Sequence, residues 1–210
     1  MKKLIICIVA ALAAFPVACY AQKTTAELQK EHKKEIKAKK KEYETGGWQL
    51  FGTSRTIDVA LAKFYEKLDN MGNDGQEIIG VAARCQSKNV AHQMAFTSAI
   101  NQVAQMNNGI LQATLESRLA SDSKDVANEV DNFMAAYGRK VQATIAGELE
   151  EAYSITREIE PGVYEMHSFY VYNKRAASES RIRAVKSTAL ENAATKKFAE
   201  ELENELKGVM

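Results

Sequence analysis

Three histidines, one isolated thiol and a few grouped carboxylates are the residues of this sequence with chemistry to offer. His32, His92 and His167 have no second ligand at His-x-x-x-His spacing, and no Cys-x-x-Cys pair occurs. Zinc needs three or four such ligands in one place, so no metal site is expected. His167 stands beside Ser168, which suggests a base and a nucleophile. Successive strand residues point to opposite faces, however, so these two side chains should not meet. Glu148, Glu150 and Glu151 group three carboxylates. Paired-acid hydrolysis needs two of them across a cleft; a solvated approach to a strand is the expectation here. Neither G-x-G-x-x-G nor a Walker sequence is present to hold phosphate. No catalytic residue, cofactor or metal is therefore assigned, and no enzyme is expected.

Two further groups are candidates for contact with a partner. Trp48 and Phe51, in GGWQLFG, are an aromatic pair beside a glycine turn. They are expected to fold back on their own core, the alternative being an anchor for a partner. Lys33, Lys37 and Lys40 belong to KEHKKEIKAKKKE, with seven lysines between Lys30 and Lys41. Glutamates spaced for i,i+4 pairs favour a solvated helix. Binding of anionic lipid or lipopolysaccharide by charge is the alternative.

The elements that must position these residues begin after an apparent export signal. Lys2 and Lys3 precede an apolar run from Leu4 to Phe15, and small residues lead to Ala21 before Gln22. That run is too short for a hydrocarbon core, which needs about 20 residues, and fits a cleavable signal cut after Ala21. The alternative is lipidation at Cys19, although Pro16 stands where a lipoprotein box normally has Leu. Loss of residues 1–21 removes two lysines, taking 28 basic residues to 26 against 27 acidic ones. Near neutrality gives no pull towards nucleic acid. Cys7 and Cys19 lie before the cut, so Cys85 has no internal disulfide partner and reads as a half-buried strand thiol.

Residues 22–47 form a charged helical segment of coiled-coil character, with Leu28 and Ile36 as its large aliphatics. So little apolar area predicts a mobile or projecting helix. Residues 48–76 hold the aromatic segment and a helix from Thr56 to Leu68, capped by Thr56 or Ser54. Residues 77–210 form the main domain. Glu77 to Cys85 reads as a strand. From Asn89 to about Ala120, Ala91, Ala95, Ala99 and Val103 recur every fourth residue, letting a helix lie close to a sheet. Asn107-Asn108-Gly109 kinks or splits it, and Ser121 to Ser123 mark a break. A helix follows from Lys124 to about Gly147. Leu149 to Ile159 and Val163 to Tyr172 then alternate as a hairpin around Pro161-Gly162, and a helix from about Arg175 to Lys207 closes the chain. The fold class expected is α+β: an antiparallel-type sheet of about three strands in βααββα order, covered on one face by long helices and preceded by the charged helix.

The strand IIGVAAR followed by NVAHQMAFTSAINQVAQ resembles the G-x-A … A-x-x-x-A-x-x-x-A signature of the Lpp-twenty lipoprotein family. The N-terminal domain of the flagellar T-ring protein is similar in order. In both, a hairpin and a closing helix follow, as EAYSITREIEPGVYEMHSFYVYNK and the last helix supply here. The resemblance covers about residues 77–207. Secreted Bacteroidetes proteins with a Gly-Trp segment ahead of the domain are also similar, through Gly47-Trp48. It implies a small envelope domain with structural or assembly roles. The function expected is non-enzymatic, in the periplasm or cell envelope, through contacts with envelope proteins or the membrane surface. The alternative is a small-molecule or lipid binder whose cavity is lined by Tyr164, Phe169, Tyr170 and Tyr172.

Overall fold

A computed structural model describes residues 25–106, 108–120 and 125–209. Ala21, Gln22 and Cys19, the residues of the cleavage and lipidation readings, lie outside the described residues. The described chain is α+β. Its sheet has four antiparallel strands: β1 (Gln49–Phe51), β2 (Gly75–Cys85), β3 (Glu150–Glu160) and β4 (Val163–Asn173). Their order is β1-β3-β4-β2, so the two chain-early strands are the edges and the hairpin is central. The fourth strand is β1, a three-residue piece of the aromatic segment bounded by Gly47 (φ 71°) and Gly52 (φ 72°). Positive φ suits glycine, and each residue turns the chain at one end of the strand.

Helices cover both faces of the sheet. On one side lie α1 (Thr25–Thr45) and α2 (Ile57–Met71). They enclose a core of Tyr43, Leu61, Phe64, Tyr153, Ile155, Phe169 and Val171. On the other lies α3 (Lys88–Gln105), over Ala82, Cys85 and Met166. It leads into α4 (Asn108–Leu119), α5 (Val126–Glu148), α6 (Lys174–Glu191) and α7 (Ala199–Val209). These helices build the larger core with Ile78, Tyr170 and Tyr172. The expectation of a single covered face therefore gives way to two.

The reason is α1. It does not project, because Tyr43 is buried beneath it and Ile36 packs against the same cluster. His32 stacks on Tyr65 at 4.7 Å and pairs with Asp69 at 3.4 Å, while Lys40 bonds Asp58 at 2.7 Å. An aliphatic count misses this, since the anchoring side chains are a tyrosine, a histidine and a lysine whose apolar parts do the packing.

The small-residue row behaves as its spacing predicts. Ala91, Ala95 and Ala99 are fully buried and bring α3 onto β2. A Cβ at Gly80 would lie 2.7 Å from the Ala95 carbonyl carbon and 3.2 Å from Ala99 Cβ. The expected split is found: α3 ends at Gln105 and α4 begins at Asn108. The single C-terminal helix divides at Asn192–Thr195, where Thr195 donates to the Ala189 carbonyl at 3.1 Å and a 3-10 turn, Lys196–Phe198, re-aims the chain. Asp125 caps α5 and Asn173 caps α6, each accepting a backbone N–H three residues on. Thr56 occupies the cap position of α2 without a side-chain cap bond.

Candidate functional site

The residues with chemistry are brought together in a way their sequence positions hide. His92 on α3 reaches Glu151 on β3, with Nε2 at 2.9 and 3.1 Å from its two carboxylate oxygens. Ser154 donates to Glu151 Oε1 at 2.6 Å and lies 2.7 Å from Ser168 Oγ on β4. A hydroxyl has one proton, so Ser168 donates in that second bond. Strict alternation would put Glu151 on the face of Tyr153. An irregularity between Glu151 and Tyr153 adds one residue and turns Glu151 to the face of α3. The carboxylate stands between imidazole and hydroxyl, so His92 reaches Ser154 only through Glu151. Ser154 and Ser168 are buried. Chemically this row is a polar tie between helix and sheet. A cleft of 210 Å³ opens beside it, lined by Phe51, Arg55, Lys63, Glu151 and Ser154 among others.

His167 and Ser168 diverge as strand geometry requires. His167 Nε2 contacts Glu165 at 3.1 Å, and its ring packs on Trp48 at 4.5 Å. Arg157 holds Glu165 with two nitrogens at 2.8 and 2.7 Å and lies over the Trp48 ring at 4.6 Å. Trp48 is thus clamped on the sheet face. Phe51, on the opposite face, packs against His92 at 5.4 Å and joins the small cluster under α3. The aromatic pair folds back on its own core from both sides. Lys33 and Lys37 are exposed, whereas Lys40 is engaged by Asp58.

The grouped acids disperse. Glu148 faces Arg181 at 4.0 Å, Glu150 pairs with Lys67, and Glu151 goes to His92. Cys85 is buried, not half-buried, with its sulfur 3.4 Å from Met94 Sδ. Three of the four hairpin aromatics expected to line a cavity fill cores: Phe169 stacks on Tyr153 at 4.4 Å, and Tyr170 and Tyr172 are buried, whereas Tyr164 is half-buried under Lys88. Among the described residues no cluster of three His, Cys, Asp or Glu side chains could hold a metal. Burial pushes the phenols of Tyr65, Tyr137 and Tyr170 up to about 12, and raises Tyr43, Tyr153 and Tyr172 as well.

The surface that stands out is at β2. Its outer edge pairs with no described strand. Ile79 and Val81 are 38% and 42% exposed there, and Val90 and Met94 are about as open on α3. A groove of 530 Å³ runs along this edge between Val81 and the Met94, Thr97, Ser98, Asn101, Gln102 and Gln105 side chains. From Asn89 to Leu115 there is no Asp, Glu, Lys or Arg, in a chain that is 26% charged. An exposed flank free of charge, with Met and branched residues, has the composition of an interface core.

Sequence reasoning missed this surface because nothing in β2 says that it is an edge. It missed Arg181 for another reason: one arginine on a helix reads as solvated. Arg181 is 4% exposed, lies over the Tyr172 ring at 5.4 Å, and leaves Nε and Nη2 without a hydrogen-bond partner. Compared with protein-family models, with curated proteins and with solved structures, the chain matches none.

Proposed function

We propose that this chain is a non-enzymatic protein of the bacterial periplasm or cell envelope, acting through contacts with protein or the envelope surface. The observation that carries the reading is the uncharged flank of α3 beside the open β2 edge. A surface of that kind is kept for a partner, since single-domain surfaces are otherwise interspersed with charge. Supporting it, the hydroxyls nearest to a base or acid, Ser154 and Ser168, are buried and occupied by one another and by Glu151. Export is supported by Lys2-Lys3, the apolar run and the small residues ahead of Gln22. No described helix is long and apolar enough to cross a membrane.

Two measurements test this. Mass spectrometry of the protein recovered from fractionated cells should show a chain beginning at Gln22 outside the cytoplasm. A chain beginning at Met1 in the cytoplasm overturns export, and an acylated Cys19 selects the anchored alternative. A photo-crosslinking residue in place of Thr97 should give discrete adducts in cells, and one in place of Glu66 on α2 should not. Absence of adducts from Thr97 overturns the contact reading.

A further inference from the structure

Strand β2 has few of the features by which soluble proteins protect a sheet edge. It is 11 residues long, and between Gly75 and Ala83 it carries no Pro and no Lys, with Glu77 its one charge. Edges of that length are normally shortened, charged or covered. On one side its rim is flanked by the uncharged part of α3, on the other by the exposed Ile79 and Val81. We propose that β2 pairs antiparallel with β2 of a second copy of this chain, joining two four-stranded sheets into one of eight strands. The proposal rests on the contact reading above and names the partner of that surface.

Charge sets the direction of pairing. Asp74 and Glu77 lie at the start of β2, and Arg84 and Lys88 at or just past its end. Antiparallel pairing lays the acidic start of one strand on the basic end of the other. Parallel pairing would stack like on like. These groups keep their own partners while doing so: Asp74 lies 3.2 Å from Arg175, Arg84 2.7 Å from Glu160, and Lys88 over the Tyr164 ring at 5.0 Å.

Register follows from the pleat. Directly opposed residues of an antiparallel pair share a face, so the two-fold axis passes through a residue. With Gly80 on the axis, Ile79 of each copy meets the copy's Val81, and four exposed branched side chains close over one another. On the other face the two α3 flanks, with Thr97, Asn101 and Gln102, approach across the seam. They bring no charge that would have to leave water. A strand pair alone is narrow, and the added helix flanks supply the breadth of a specific interface, about 800 Å² per partner.

Sedimentation velocity of the purified protein over a dilution series tests the pairing. The dimer mass is expected, with Val81→Lys and, separately, Asn101→Glu each weakening association at least about tenfold, because each sets like charges across the axis. Asn101 is an exposed helix residue outside the sheet, so its variant stays folded, and circular dichroism and melting temperature check both. Amide exchange over Gly75–Ala83 should slow as concentration rises. A monomer at every concentration, or a dimer of unchanged affinity in both variants, overturns the proposal. The two readings fail separately: an exported monomer that still crosslinks from Thr97 to another component removes self-pairing alone, whereas a cytoplasmic dimer sensitive to Asn101→Glu removes export alone.

Discussion

At Gly80 one hydrogen in place of a methyl group lets α3 rest on the sheet. The Cβ of an alanine there would stand 2.7 Å from the Ala95 carbonyl carbon, and backbone cannot swing aside as a flexible side chain would. Gly80→Ala should cost about 3 kcal/mol, read as a fall of roughly 6–12 °C in melting temperature. Ala95→Ser, fully buried in the same contact, tests the helix side of it and should also destabilise. The glycine-and-alanine signature thus reports a packing distance. Arg181 is a second residue whose burial decides its effect. With Glu148 at 4.0 Å as its counter-charge, Glu148→Ala strands a buried guanidinium and should cost about 3–5 kcal/mol in urea unfolding. Replacing both partners together, Arg181→Met with Glu148→Met, removes the buried pair whole and should be close to neutral.

Among the elements, α1 shows how far composition can mislead. Lys33, Lys34, Lys37 and Lys41 face water, yet Tyr43 bonds Tyr153 at 3.1 Å and lies 6.4 Å from Phe169 in the sheet-face core. Lys39 stands over the Phe169 ring at 5.9 Å. A chain beginning at Trp48 would uncover Phe64, Tyr153 and Phe169. It should melt lower and bind a hydrophobic dye, with Tyr43→Ala giving about 3 kcal/mol of the same loss. Deleting this helix is therefore no clean test of the lysines as a binding arm; charge reversal at exposed Lys33 and Lys37 is. In β3 the extra residue near Ala152 does the opposite kind of work, turning one carboxylate from the face of α2 to that of α3. Without that irregularity Glu151 would have no route to His92, and the polar tie across α3, β3 and β4 would not form.

At the scale of the whole molecule, six tyrosines among the described residues, five buried and Tyr65 half-buried, have phenols held above their ordinary range by burial. The folded chain holds these protons to higher pH than the unfolded chain, whose phenols titrate near 10. Between about pH 10 and 12 the unfolded state binds fewer protons, so stability is full below pH 10 and falls as pH rises. Tyrosinate absorbance on alkaline titration should appear in step with loss of circular dichroism. Smooth titration near pH 10 with the fold intact would contradict the burial.

Periodicity by itself determined the strands at Glu77–Cys85 and in the hairpin, the alanine face of α3 and the separation of α3 from an α4 that begins at Asn108. Each depends on local spacing and turn chemistry, which a sequence carries openly. It also separated His167 from Ser168, because strand parity is local. Sheet order, however, was a tertiary decision: β1 is three residues long and gains its identity only by pairing with β3, which leaves β2 as the other edge. The same holds for His92 with Glu151, 59 positions apart and joined through a bulge, and for Arg181 on α6, which meets Glu148 of α5 and Tyr172 of β4. Local energies act over a few residues, whereas which edge stays open and which charge is enclosed depend on how distant surfaces divide the apolar area between them.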